Sequence, residues 1–391
     1  MSEMLRWLQS DGARFRETAP FIDAFARALL RSGIEVARVT TGVPILHPQV
    51  YSLSCLWEEG HPVTERRFRQ EGAGLQAFQN SPMAIVYEGG SVRCRLDLPP
   101  QPGEFPILAD LRAEGMTDYL ALPLAFSDGS WKAITYATRR RGGFSDEQAA
   151  LLQELVPTLS MILEIQALHR TTLTLLDTYV GRSAGRRVLD GAIKRGMSET
   201  IRAVIWTCDL RDFTGLSEEL PGDELVALLN DYFGAMTDAI DRHGGEVLKF
   251  IGDALLGIFP LTGEEERAVA ARALTAAKEA DAAIRAINAE RSGSGRPAIR
   301  FGLALHVGDV LYGNIGGTER LDFTVIGQAV NVATRIEGLT KELGRNVLLS
   351  REMAELCGDT VEPLGMFALK GVAGKQAIYA PIGVSPAPDA D

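Results

Sequence analysis

Two aspartates, Asp209 and Asp253, lie in the stretches IWTCDLRDFTGLS and GGEVLKFIGDALLGIFP, and each stretch reads as a strand carrying a carboxylate. Between them, Leu225, Leu228, Leu229, Tyr232, Phe233, Met236 and Ile240 recur at helical spacing, and the pair Gly244 and Gly245 closes the helix. The unit is therefore strand, helix, hairpin. Neighbouring strands lie about 4.8 Å apart, and two carboxylates at that range repel unless a cation sits between them. Magnesium held by one or two carboxylates together with substrate phosphates has this form. Either aspartate taken alone could equally be a turn or cap residue.

Other pieces could converge with this pair on one nucleotide. Asp209 runs into Arg211, Asp212, Phe213 and Thr214, a strand end leading to a helix N-terminus whose free amides suit an anion. Lys249 and Asp253 flank a turn at Gly252, so the carboxylate can face a metal while the ammonium points to a base edge. Asn331 and Arg335, at i and i+4, share one helix face. Asparagine offers a donor and an acceptor; arginine offers a permanently charged fork for phosphate. Lys370, in LKGVAG, is a cation beside glycines that permit close approach.

In this order the pieces resemble the catalytic domain of class III adenylyl cyclases. The stretches that carry the resemblance are CDLRDFTGLS, GGEVLKFIGDALLGIF, LHVGDVLYGNIG, RLDFTVIGQAVNVATRIE and LKGVAGKQAIY, covering about residues 200–383. The resemblance implies that Asp209 and Asp253 bind two divalent metals per site, Mg2+ or Mn2+. It implies that Lys249 and Thr324 read the purine, that Asn331 positions the ribose, and that Arg335 stabilises charge on the α-phosphoryl group. Lys370 and the amides of Phe213 and Thr214 would hold the β- and γ-phosphates. Threonine at 324 marks one subclass and goes with adenine; guanylyl cyclases usually carry glutamate in place of Lys249 and cysteine in place of Thr324. The implied reaction converts ATP to cyclic AMP and pyrophosphate by in-line attack of the 3′-hydroxyl. In the family the metal and transition-state residues come from opposite subunits, so a homodimer with two shared sites is implied. Asp212 departs from the pattern, replacing the usual glycine, and is expected to point outward. A guanylate cyclase and a catalytically silent nucleotide-binding regulator stand as alternatives. GGEV is superficially like the turn of diguanylate cyclases but lacks the second acidic pair.

The elements that must position these residues give an α/β (α+β) chain. Residues 201–384 are expected to form a ferredoxin-like palm, preceded by a transducer segment at 182–200 and followed by a disordered tail at 385–391. Residues 1–150 read as a helix at Ala19 to Leu30, antiparallel strands, and a hairpin turning at Ser127 to Ser130. That order, with the exit helix starting GFSDEQ, resembles a GAF-type sensory domain, which implies an unidentified small ligand or partner. Ser145 caps the exit helix, with Gln148 as its capping-box partner. Leu152, Leu155, Leu159, Ile162, Gln166, His169, Leu173, Leu176 and Val180 then alternate at steps of three and four. This predicts a parallel dimeric coiled-coil linker over 151–181, with Gln166 and His169 fixing its register. The other reading is a helix packed on its own domain.

Composition bounds the partners. The 391 residues fit two or three domains, and the net charge of −11 comes with no basic block beyond Arg139–Arg141, which argues against nucleic acid or an anionic membrane. No apolar run approaches the ~20 residues of a membrane span, and the N-terminal stretch lacks a signal-peptide core, so a cytoplasmic protein is expected. Cys55, Cys94, Cys208 and Cys357 are scattered and read as reduced thiols. Of these, Cys55 and Cys94, taken with His47 and His61, match no metal- or haem-ligand spacing.

Overall fold

The computed structural model describes residues 3–47, 50–68, 79–191, 196, 198–261, 265–317 and 320–384. The tail expected at 385–391 and part of the 182–200 segment lie outside the described residues. The chain forms two compact units, Met1–Thr178 and Tyr179–Asp391.

The first unit runs α1 (Glu3–Ser10), α2 (Thr18–Arg31), β1 (Arg38–His47), β2 (Val50–Glu58), β3 (Thr64–Phe68), α3 (Met83–Val86), β4 (Val92–Arg95), α4 (Pro106–Ala113), β5 (Asp118–Ala125), β6 (Trp131–Thr138) and α5 (Asp146–Tyr179). Its sheet is antiparallel in the order β3-β2-β1-β6-β5-β4. The β5–β6 hairpin turns where expected, with the Asp128 carboxylate accepting the Ser130 amide at 2.8 Å. Phe21, Ile22, Phe25 and Leu29 form the buried stripe of α2 and pack with Tyr136 and Leu53 of the sheet.

Helix α5 starts at the expected capping box: the Gln148 amide donates to Ser145 Oγ at 3.1 Å, and the Ser145 amide donates to Gln148 Oε1 at 3.0 Å. Its apolar seam corrects the coiled-coil expectation. Leu152, Leu155, Leu159 and Ile162 are buried in the core of their own unit, and Gln166 donates to the Phe15 carbonyl at 3.0 Å. His169 is exposed. The first half of that seam is therefore filled within one chain. The apolar residues left outside are Met161, Ile165, Leu168, Leu175 and Tyr179, between 39% and 79% exposed. By length and composition alone α5 is long and apolar enough to cross a membrane, yet 44% of its most apolar stretch is buried in the fold.

The second unit runs α6 (Arg182–Leu189), β7 (Ser198–Leu210), α7 (Phe213–Glu219), α8 (Gly222–Arg242), β8 (Glu246–Ile251), β9 (Ala254–Pro260), α9 (Glu266–Gly293), β10 (Phe301–Gly316), β11 (Leu321–Ile326), α10 (Gln328–Gly338), β12 (Val347–Ser350), α11 (Arg351–Cys357), β13 (Val361–Ala368) and β14 (Lys375–Pro381). Strand order is β13-β14-β12-β10-β7-β9-β8, with β11 paired to β10 off this path. The β10–β12 pair is parallel and the others antiparallel. Both faces of β7 are covered, which is why it reads as a continuous apolar run. Val204, Trp206, Cys208 and Leu210 meet α8 and α9. Ala203 and Ile205 belong to a second cluster with Leu248, Tyr312, Phe323, Ala329 and Ala333. By strand alternation Asp209 emerges on this second face.

The two sides of α5 differ in their expected response to truncation. Leu159→Ala should cost about 2–5 kcal/mol of stability, as for a fully buried leucine, whereas truncating the exposed Gln153, Gln153→Ala, should stay within about 0.5 kcal/mol. Urea unfolding of the two variants measures this, and equal losses would contradict the packing.

Candidate active site

Strand register brings the two aspartates together. Cys208 pairs with Leu255 across β7 and β9, so Asp209, one residue on, lies beside the β8–β9 turn. Gly252 and Asp253 form that turn, with Gly252 at φ 65. Asp253 is thus a turn residue rather than a strand residue, a refinement of the sequence reading. The Asp253 carboxyl lies close enough to disfavour the charged form of Asp209. Burial, the Asp253 carboxyl and then Glu337 raise the Asp209 pKa from its ordinary value to about 7, while Arg211 pulls the other way. Asp209 Oδ1 is buried without a hydrogen-bond partner. Among the described residues no group of three or more His, Cys, Asp or Glu gathers as a metal cage. A close carboxylate pair with an orphaned oxygen still fits a hard divalent cation that takes its other ligands from water and phosphate.

Lys249 on β8 reaches toward β11, with Nζ 3.6 Å from Asp322 Oδ2. Asp322 and Thr324 are two apart on β11 and share a face. Thr324 is 4% exposed, and its hydroxyl has no partner. Lys249 and Thr324 thus belong to adjoining elements, linked by Asp322, which sequence reasoning missed. The missing signal is a contact between strands that are not hydrogen-bonded neighbours.

On α10, Ala329, Ala333, Ile336 and Glu337 are buried while Asn331 and Arg335 are exposed, so the pair does share one outward face. Lys370 is exposed in the loop between β13 and β14. Among the described residues, no hydrogen bond or ion pair joins Asn331, Arg335 or Lys370 to the carboxylates. Phe213 and Thr214 open α7 directly after Asp212. Asp212 has φ 59, a left-handed conformation that glycine adopts freely and that costs other residues about 1–2 kcal/mol. Its carboxylate is exposed and lies 3.7 Å from Arg300 Nη2.

A second missed contact ties these parts together. Arg211 Nη2 lies 3.0 Å from Glu337 Oε1 and donates to the Glu337 carbonyl at 3.3 Å. Gly302, opposite Asp209 in register, leaves the space: a Cβ there would collide with Arg211, Glu337 and Thr340. The end of β7 and the C-terminal turn of α10 are therefore held together within one chain.

Comparison with known proteins places this geometry. Residues 198–380 match the model of the adenylate and guanylate cyclase catalytic domain. An adenylate cyclase of Anabaena cylindrica is 41% identical over 165 residues, 41% of this chain and 32% of that protein. Adenylate cyclase 1 of Rhizobium meliloti is 34% identical over 180 residues, 45% of this chain and 27% of that protein. The chain thus spans about a third or less of the length of these curated relatives. Among solved structures, a bacterial light-regulated adenylyl cyclase aligns with a TM-score of 0.51 at 21% identity, over 69% of this chain and 88% of that one, a likeness of fold. The family match and these relatives support a class III adenylyl or guanylyl cyclase catalytic domain in the C-terminal half of the chain.

The carboxylate pair sets a pH dependence. Because the folded Asp209 titrates near 7 and an unfolded aspartate at about 3.9, the metal-free fold should lose stability as pH rises between those values. Cation binding requires both carboxylates ionised. Added Mn2+ should therefore raise the melting temperature more at pH 8 than at pH 6, and Asp253→Asn should remove most of that difference. An equal rise at both pH values would contradict the pairing.

Proposed function

We propose that the chain is an adenylate cyclase that converts ATP to cyclic AMP and pyrophosphate. The observation that carries this reading is the strand register that sets the Asp209 carboxyl beside the Asp253 turn. Asp209 and Asp253 would hold two divalent ions, which when bound supply Lewis acidity toward the 3′-hydroxyl and offset phosphate charge. Lys249 and the buried Thr324 hydroxyl would take the adenine edge, with Asp322 steering the lysine. Neither position carries the glutamate or cysteine expected for guanine. Asn331 would orient the ribose, and Arg335 would face the α-phosphoryl oxygens as charge develops there. Lys370 and the Phe213 and Thr214 amides would hold the β- and γ-phosphates. Asp212, drawn toward Arg300, keeps its charge outward.

The two halves of the site would come from two copies of the chain. The outward face of Asn331 and Arg335 supports this, as do the exposed Phe250 and Ile251 beside the Asp253 turn. Helix α5 adds a second argument. Met161, Ile165, Leu168, Thr172, Leu175 and Tyr179 alternate at steps of four and three on its exposed side, with Leu168 and Leu175 in d positions and Ile165 in an a position. That choice favours two parallel strands. The dimer seam is thus assigned to this stripe and not to the one read from the sequence. The first unit, an antiparallel sheet between helices, supports the GAF-like reading and a regulatory role for a ligand or partner of unknown chemistry.

Side-by-side assays with ATP and GTP in Mn2+ or Mg2+ test the reaction. The wild-type chain should form cyclic AMP with at least about tenfold preference in kcat/KM, equivalent to 1.4 kcal/mol. The double variant Lys249→Glu, Thr324→Cys should shift that preference toward GTP. Preference for GTP in the wild type would favour the guanylate cyclase alternative, and nucleotide binding without turnover would favour the silent regulator.

A further inference from the structure

The short helix α6 contributes no residue to the site above, yet it is tied to it at two points. The Ala184 amide donates to Glu246 Oε1 at 3.3 Å, and the Tyr312 hydroxyl donates to Glu246 Oε2 at 2.8 Å. Three residues along, the Arg187 guanidinium lies over the rings of Tyr312 and Phe323, 5.0 Å and 5.9 Å from their centroids, and pairs with Glu199. The two rings meet edge to face at 4.7 Å. Gly181, at φ 93, lets the chain enter α6 pressed against β8, where a Cβ would come within 3.2 Å of the Val247 carbonyl.

Each contact lands next to a base-reading residue. Phe323 precedes Thr324, and Tyr312 pairs with Val325 across β10 and β11. Glu246 stands three residues before Lys249 on β8. Strand β11 pairs with β10 alone among the described strands, and a two-stranded arm is marginal by itself. Its position depends on what packs beneath it. That includes Ala184, fully buried in one cluster with Leu248, Tyr312, Phe323 and Val325, alongside Ile205 of β7 and Ala329 of α10. The carboxylate of Glu246 joins both sides of the base pocket, because it holds β8 directly and β10 through Tyr312.

We infer that α6 sets nucleotide selectivity from outside the pocket, with Arg187, Glu246 and Tyr312 as positioning residues that hold Thr324 on β11 against Lys249 on β8. The inference rests on the proposed cyclase reading and on Lys249 and Thr324 as the base readers. Arg187 must be arginine, because a planar guanidinium covers two rings at once while an ammonium is a single point charge.

The test is steady-state kinetics of the full chain with ATP and with GTP, for wild type, Arg187→Ala, Arg187→Lys and Tyr312→Phe. Arg187→Ala should lower the ATP-to-GTP ratio of kcat/KM about tenfold, chiefly by raising KM for ATP. Arg187→Lys should fail to restore the ratio. Tyr312→Phe, which removes one oxygen and keeps the ring, should move the ratio the same way by a smaller factor, and it carries the test if the arginine variants do not fold. A ratio unchanged in the folded variants would overturn the inference, whatever their absolute rates, since that is what a merely structural helix produces. A wild-type chain that turns over neither nucleotide would instead overturn the cyclase reading, and the inference with it.

Discussion

Two like charges held side by side by the backbone are the constraint around which the second unit is built. The register of β7 against β9 places Asp209 beside the tight β8–β9 turn that presents Asp253. Burial and mutual repulsion push a proton onto the pair near neutral pH. The fold bears this cost because β7 is anchored on both faces, by Trp206 and Leu210 on one side and Ile205 on the other. A strand buried so thoroughly cannot slip by one residue without turning its whole apolar set to the wrong face. The carboxylates therefore stay in place, poised for a cation.

The remaining groups are held by elements that converge on the same strand. Helix α10 buries Ala329, Ala333 and Ile336 and turns Asn331 and Arg335 outward. The Arg211–Glu337 pair, seated over Gly302, fixes that helix relative to the end of β7. In the shared-site proposal, one chain's Asp209 serves one site and its Arg335 serves the other. The Arg211–Glu337 contact would then be a short link between the two sites of a dimer. The β10–β11 arm is less embedded, since β11 has one strand partner among the described strands and packs in the same cluster as α6.

Much of the local structure is legible in the sequence because its causes are local. Ser145 and Gln148 form the expected capping box. Ser350 caps α11 by accepting the Met353 amide. Gly252 turns the hairpin. The seam of α5 was misassigned for a physical reason: heptad spacing reports that a helix has an apolar stripe, not what covers it. Leu152 to Ile162 are covered by their own unit, and the stripe offset by one residue, about 100° around the helix, is the one left exposed. Asp322 beside Lys249 and Glu337 beside Arg211 were illegible because 73 and 126 residues of chain separate the partners. The glycine usual at 212 becomes intelligible only with its left-handed backbone in view.

The central claim is that one copy's carboxylates and another copy's Asn331 and Arg335 close over a single nucleotide. Mixing two chains, one carrying Asp209→Ala and the other Arg335→Ala, tests it most directly by cyclic AMP formation. Each variant alone should be inactive. After exchange of subunits, an equal mixture should recover about a quarter of wild-type activity, because half the dimers are mixed and each holds one intact site of two. No recovery, with mixed dimers present in solution, would contradict the account.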